Sequence, residues 1–266
     1  MYIIVITHTS NTDDNFLKYT AATNRKKLRI IVSEITKELL NVFKGNNRDF
    51  EVLTKADWDP GEISGDLTIG ALLGPYVWPV KISPDDDYPE DTENPDPFSV
   101  SFSVTVNTQS LHINVAGSNI PADDLFDGID IRVQLPHYPK DLVSSEMRLI
   151  AKEVMNTVSH ELEHMSQEGS YKSYERGEKY YSDLPDETEV SGSSTFKYLM
   201  KPSEVVAHVI GYSSHSQTYQ ELENEIRQFA KAYCLSGQIS HKEANQVIDT
   251  WLHWARKNLK QKRFKA

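Results

Sequence analysis

The chain has 266 residues, of which 38% are hydrophobic and 25% are charged, a composition typical of a globular protein with a substantial core. Its 28 basic and 39 acidic side chains give a formal net charge of −11 at pH 7. Because a field of this sign repels phosphate groups, no nucleic-acid partner is expected.

The cysteine count and the hydropathy pattern limit the cellular compartments in which this protein is expected. Cys234 is the only cysteine, which excludes an intrachain disulfide and a cysteine-based zinc site within one chain. The apolar run at residues 2–6 is too short for a signal peptide and lacks a basic flank. No apolar stretch approaches the ~20 residues that span a bilayer. The sequence therefore predicts a cytoplasmic or virion-associated protein with no membrane partner.

Residues 1–97 are predicted to form an N-terminal region, which continues into residues 98–266 as one domain. A strand is expected at residues 2–6 and a helix at residues 24–44. Apolar side chains recur in this helix at intervals of three and four: Leu28, Ile31, Ile35, Leu39 and Val42. The region ends at residues 84–97, which are acidic, rich in proline and typical of a loop or linker.

Three runs of alternating apolar and polar residues follow the acidic loop, at residues 98–106, 111–115 and 129–135. Alternation with a period of two predicts strands with one buried face and one polar face. The short turn at residues 107–110 predicts that the first two strands pair as an antiparallel hairpin.

A helix from about residue 141 to about residue 169 is predicted next, and it carries the motif His160-Glu161-Leu162-Glu163-His164. Side chains four residues apart lie on one face of a helix, so the two histidines can bind one metal ion. Leu162 belongs to the apolar stripe of this helix and lies two residues from both histidines. The histidines therefore occupy a different face of the helix from the core stripe.

Glu161 lies roughly 100° around the helix from His160. From this position it can reach a water molecule on the metal more easily than the metal itself. Two imidazoles and one nearby carboxylate are the groups that a zinc hydrolase requires.

A catalytic zinc ion usually has three protein ligands and a water molecule. The HExxHxxGxxH class of site is excluded because Gln167 and Ser170 stand where that class has Gly and His. The best third ligand is Glu204, in the first turn of a helix predicted from Pro202 to about residue 210 with Gly211 as its stop. An acidic residue there is also common because it complements the helix dipole.

Other third ligands remain open. His208 follows Glu204 by one turn and is the main alternative; it could instead orient a ligand or stabilise the reacting oxyanion. His215, Asp183 and Asp186 are weaker candidates. Residues 169–196 are read as a loop, and two amphipathic helices are expected at about 218–235 and 240–260, followed by a basic C-terminal end.

With these residues the chain resembles the zincin metallopeptidases, and among them the gluzincins, in which a glutamate on a downstream helix completes HExxH. The resemblance covers about residues 98–215 and implies an α+β, zincin-like fold: a mainly antiparallel sheet, an active-site helix and a helical C-terminal part. It also implies that His160, His164 and Glu204 bind one zinc ion per chain and that Glu161 is the catalytic base. Thermolysin-like members have an aspartate where this chain has His208.

The sequence thus predicts a zinc-dependent metallopeptidase that acts on a peptide or protein substrate. The donor that stabilises the oxyanion is expected among four residues close to Glu204 in sequence: Tyr198, His208, Tyr212 and His215. The alternative is a non-catalytic structural or assembly protein, for example of a virus, on a zincin-like fold. A chance match of the motif in a helical scaffold is the third interpretation.

Overall fold

The computed structural model describes most of the region that carries the motif. The described residues are 25–43, 51–52, 67–76, 98–106, 112–123, 126–137, 141–168, 184–185 and 189–259. Six helices and five strands lie within these ranges, so the described part of the chain has a mixed α/β fold. Four features predicted from the sequence lie outside the described residues: the strand at 2–6, the acidic loop at 84–97, Asp183 and Asp186.

Helix α1, Arg25–Phe43, confirms the helix predicted at residues 24–44. Ile31, Ile35 and Leu39 are buried, as the apolar stripe predicts. They share one hydrophobic core with the sheet and with the helix that carries the motif. We call this the sheet-side core.

The five strands form one sheet with the order β1-β2-β3-β5-β4. Their bounds are β1 Glu51–Val52, β2 Leu67–Tyr76, β3 Phe98–Val106, β4 Asn114–Asp123 and β5 Phe126–Leu135. The pairs β1–β2, β2–β3 and β4–β5 are antiparallel, whereas β3 and β5 are parallel. Strand β2 was not predicted, because two glycines and a proline interrupt its apolar pattern.

The predicted hairpin between residues 98–106 and 111–115 is wrong. Val133 of β5 pairs with Val104 of β3 on one side and with Val115 of β4 on the other. Alternation predicts correctly which side chains are buried, and all three valines are. It does not determine which strand is the neighbour, because strands with the same buried face can exchange places.

Helix α2, Ser144–Glu168, confirms the predicted motif helix and packs on the buried face of the sheet. The apolar stripe of α2 contributes four buried residues to the sheet-side core: Ile150, Val154, Val158 and Leu162. Strand β4 lies at the end of the strand order in the described sheet and contacts α2. The motif helix therefore runs beside a sheet edge.

Four helices form the C-terminal part: α3 Ser194–Leu199, α4 Pro202–His215, α5 Tyr219–Leu235 and α6 His241–Asn258. They enclose a second hydrophobic core, which we call the helix-side core. Capping boxes begin α5 at Thr218 and α6 at Ser240, which explains why the sequence predicts these helices well.

Two boundaries differ from the prediction. The loop predicted at residues 169–196 ends earlier, because Ser193 accepts a hydrogen bond from the Phe196 amide at 3.1 Å and begins α3. Gly211 does not end α4, which continues for one more turn to His215. Among the described residues, no helix combines the length and the apolarity needed to cross a bilayer.

Candidate metal centre

Three side chains from two helices converge at one point. The Nε2 atoms of His160 and His164 on α2 lie 3.0 Å apart. Glu204 on α4 places its Oε2 3.6 Å from the His160 Nε2 and its Oε1 3.4 Å from the His164 Nε2. All three residues are buried, and their ligand atoms lie within 4.8 Å of one another. This group could hold a metal ion.

The donor atoms lie at distances that allow them to share one ion. Ligands about 2.0–2.1 Å from a tetrahedral centre lie about 3.3–3.4 Å from one another. The two histidine nitrogens are 3.0 Å apart, and each lies close to a different oxygen of Glu204: His160 is 3.6 Å from Oε2 and His164 is 3.4 Å from Oε1. The two histidines and the carboxylate can therefore contact the same ion.

The convergence depends on an antiparallel arrangement of α2 and α4, in which residue numbers rise along one helix as they fall along the other. Four contacts follow this register along the two helices: His164 with Glu204, His160 with His208, Asn156 with Gly211, and Met155 with Ser214. The last contact is a hydrogen bond of 3.2 Å from the Ser214 Oγ to the Met155 carbonyl oxygen. We call this contact surface the α2–α4 seam.

The Glu204 carboxyl is ionised despite its burial. Burial alone raises its pKa, but hydrogen bonding and charge from His164, together with His208 and Tyr198, outweigh burial and lower the pKa to about 2. An ionised carboxylate is the form that binds a cation.

Glu161 lies beside this group without joining it. Its side chain is 2% exposed and faces β4, where a Cβ atom added to Gly117 would lie 3.1 Å from the Glu161 Oε1. The three-residue group does not include Glu161. Glu161 therefore follows His160 on the motif helix while its carboxylate lies against β4.

Tyr198 is the candidate oxyanion donor that lies near both carboxylates. Burial, followed by the negative charge of Glu204 and, more weakly, of Glu161, raises the pKa of the Tyr198 phenol well above its usual value. The hydroxyl oxygen is buried, and the Glu204 carboxylate beside it favours the protonated phenol. Tyr198 therefore offers a neutral O–H donor at the site.

His208 lies behind the ligands. Its ring stacks on Trp251 with a centroid distance of 4.7 Å and meets the edge of His160 at 4.4 Å. Its Nε2 lies 3.8 Å from the Glu204 Oε2, and His208 is not a member of the three-residue group. This position suits a residue that holds two ligands in place.

Tyr212 and His215 lie farther along α4 from Glu204, by about 12 Å and about 16 Å at 1.5 Å per residue. Tyr212 is buried beside Phe229, at a ring-centroid distance of 5.7 Å. Burial, followed by the charges of Glu153 and Glu225, raises the Tyr212 pKa well above its usual value. The structure does not bring either residue to the metal group.

Sequence reasoning missed two residues that support the site, Gly117 and Trp251. Gly117 lies on β4, and its spacing from the motif carries no recognisable pattern. Trp251 lies on α6, and its indole Nε1 donates to the Leu199 carbonyl at 3.0 Å, which ties α6 to the end of α3. Only the tertiary fold brings these residues to the ligands.

Comparisons of the chain with models of protein families, with curated proteins and with solved structures found no match.

Proposed function

We propose that this chain is a zinc-dependent peptidase in which His160, His164 and Glu204 bind one zinc ion and Glu161 is the general base. The observation that carries the proposal is the convergence of three ligand atoms, together with the Glu161 carboxylate, which follows His160 on α2 and is not among them. This division of labour between ligands and base is what hydrolysis at a metal site requires.

The donor set favours zinc. Two imidazole nitrogens and one carboxylate oxygen are typical of catalytic zinc sites, whereas calcium and magnesium prefer oxygen ligands throughout. When bound, zinc supplies Lewis acidity and lowers the pKa of a coordinated water molecule.

The residues of the chain then handle the protons and the developing charge. The Glu161 carboxylate accepts a proton from the attacking water and later delivers it to the leaving amine. The Tyr198 hydroxyl donates a hydrogen bond to the oxyanion that forms from the scissile carbonyl. The raised pKa of the Tyr198 phenol supports this role, because it keeps the donor protonated.

Strand β4 supports a peptide as the substrate. An extended peptide can add through backbone hydrogen bonds to a strand at the end of a sheet, and β4 is such a strand among the described residues. At β4, such a peptide would pass the Glu161 side chain, which lies against Gly117.

The test uses Glu161→Gln, which keeps the shape of the side chain and removes its basicity. We expect the variant to retain one zinc ion per chain by metal analysis, because residue 161 is not a ligand. Cleavage of a peptide library, followed by mass spectrometry, should fall by roughly 100-fold or more. Unchanged cleavage would exclude Glu161 as the base.

A second candidate function is a non-catalytic structural or assembly protein with a metal in the same site. The depth of the site favours it: His160 is 1% exposed and Glu204 is 2% exposed, which is typical of a closed structural site. One zinc ion per chain, without hydrolysis of any member of a diverse peptide library, would favour this function.

A further inference from the structure

Two glycines lie against α2 one turn before the metal-binding residues. A Cβ atom at Gly211 of α4 would lie 2.4 Å from the Asn156 Oδ1 and 2.9 Å from the Asn156 backbone oxygen. A Cβ atom at Gly117 of β4 would lie 2.4 Å from the Thr157 Cγ2, as well as 3.1 Å from the Glu161 Oε1. Neither position can take a side chain unless α2 or its neighbours move.

Backbone conformation does not explain these two glycines. Among the described residues, Gly237 alone is a glycine with a positive φ, of 75°. Gly211 lies inside a helix and Gly117 inside a strand, where glycine is less favourable than alanine. The space that each leaves free is therefore the physical reason for its presence.

Gly211 determines how closely α4 approaches α2. It faces Asn156 within the α2–α4 seam, and His160 follows Asn156 by one turn of α2. Glu204 precedes Gly211 by two turns of α4. Since both helices are rigid over this length, a larger separation at Gly211 would also move the Glu204 carboxylate away from the histidines.

Gly117 determines how closely β4 approaches the side chains of Thr157 and Glu161 on α2. It lies on the same face of β4 as the buried Val115, so that the missing side chain would point at Thr157 and Glu161. A side chain there would push against the Glu161 carboxylate, and the three atoms nearest to its Cβ belong to Thr157 and Glu161 rather than to a metal ligand.

We propose that Gly211 and Gly117 are positioning residues with separate roles. Gly211 holds Glu204 within reach of the histidines and so determines metal affinity. Gly117 holds the Glu161 carboxylate against β4 and so determines the rate of hydrolysis. The role of Gly117 rests on the proposed peptidase function, whereas the role of Gly211 requires only that the site binds a metal.

Gly211→Ala and Gly117→Ala test the two roles, and Gly237→Ala is the matched control. Gly237 has a positive φ and no atom within 4 Å of an added Cβ, so its substitution strains the backbone away from the site. Zinc affinity is measured by competition with a chromogenic chelator, folding by circular dichroism, and kcat with a peptide that the wild type cleaves.

Gly211→Ala should weaken zinc binding about 10- to 100-fold, as loss of outer support for a ligand does. Gly117→Ala should keep the wild-type zinc affinity within about threefold and lower kcat about 100-fold, because a small misplacement of a catalytic group is costly. Gly237→Ala should lower the melting temperature and leave both quantities unchanged.

Two second-site variants keep the test decisive if a single variant folds poorly, and only the first is expected to restore the lost property. Thr157→Ser removes the Cγ2 that meets the new Cβ. The kcat of the double variant should therefore be about tenfold higher than that of Gly117→Ala alone. Asn156→Ala removes the Oδ1 that Gly211→Ala would meet, but not the backbone oxygen, so zinc binding should stay weakened in the double variant.

Wild-type zinc affinity in a folded Gly211→Ala protein, or, where that protein does not fold, in its double variant with Asn156→Ala, would overturn the role of Gly211. Equal loss of zinc by Gly117→Ala and Gly211→Ala would overturn the separation of roles. If the wild type cleaves no peptide, the peptidase proposal and the role of Gly117 both fail, while the zinc affinity of Gly211→Ala still decides the role of Gly211.

Discussion

The two sides of the metal centre are built in different ways. On the sheet side, His160, Glu161 and His164 lie within one helical turn of α2, which rests on the sheet-side core. On the helix side, Glu204 belongs to α4, whose position depends on residues that come from α3, α5 and α6. Local spacing alone gives the first half of the site, whereas the second half requires the packing of several helices.

The aromatic contacts around His208 illustrate this dependence. His208 lies between His160 and Trp251, and Phe229 of α5 stacks on Trp251 with a centroid distance of 5.3 Å. Substitutions in the helix-side core should therefore shift the metal ligands directly, whereas substitutions in the sheet should shift them only by moving α2. Four predictions test this difference.

Trp251→Ala should have the largest effect. Trp251 is fully buried, so its truncation should cost about 3–5 kcal/mol of unfolding free energy. It also removes the surface on which His208 stacks, so zinc affinity should fall as well. Chemical denaturation and chelator competition measure the two effects. Val133→Ala on β5 is the control: it should lower stability but leave the zinc affinity of the folded protein unchanged.

Loss of a ligand from either side should have equal consequences for the metal. Glu204→Gln and His164→Gln should each weaken zinc binding by more than about 100-fold, the upper end of the cost of losing a residue that only supports a ligand. Chelator competition and metal analysis measure this loss. Wild-type affinity in Glu204→Gln would remove α4 from the site and restrict the metal-binding residues to α2.

A buried carboxyl on α2, seven residues before His160, makes folding pH-dependent. Burial raises the pKa of Glu153 from 4.5 to about 7, with Glu225 of α5 adding to it and Lys152 and Asn156 opposing it. The folded protein therefore binds a proton that the unfolded chain releases, so stability falls as pH rises from about 4.5 to about 7. The shift corresponds to about 3 kcal/mol.

Glu153→Gln should remove this pH dependence. Thermal and denaturant unfolding at pH 5 and pH 8 should show the variant to be more stable than the wild type at pH 8, with little difference at pH 5. If the wild type is instead more stable at pH 8 than at pH 5, and Glu153→Gln abolishes this gain, the assignment of Glu153 as a protonated buried group is wrong. Zinc affinity at pH 8 should not change, because Glu153 is not a ligand.

Much of the sheet side could be predicted from the sequence because its signals are local. The stripe of α2, the buried faces of β3 and β5, and the pairing of His160 with His164 all follow from periods of 3.6 and 2 residues. Strand order could not be predicted in this way. The parallel contact of β3 with β5 joins strands that are separated by β4 in the chain.

On the helix side, Glu204 could be proposed from its place in a first turn, but its partners could not. The sequence predicts Gly211 as a helix stop, because glycine commonly ends helices. Its role depends on Asn156 of α2, which lies 55 residues earlier in the sequence and 2.4 Å from the position of an added Cβ atom. A close approach between helices leaves no periodic signal, so a single sequence does not distinguish it from a terminus.

Tyr198→Phe gives the last and smallest of these effects and tests whether the helix side contributes to the reaction as well as to metal binding. The substitution removes only the hydroxyl, whose oxygen is buried near Glu204 and Glu161. A donor that acts on the oxyanion stabilises the transition state more than the bound substrate, so kcat should fall about 100-fold while KM and zinc affinity stay constant.

Tyr212→Phe, about 12 Å along α4 from Glu204, is the matched control and should retain the wild-type kcat. A rise in KM without a fall in kcat would instead make Tyr198 a substrate-binding residue. The helix side would then supply a metal ligand and a binding contact, and stabilisation of the oxyanion would have to come from the metal or from the sheet side.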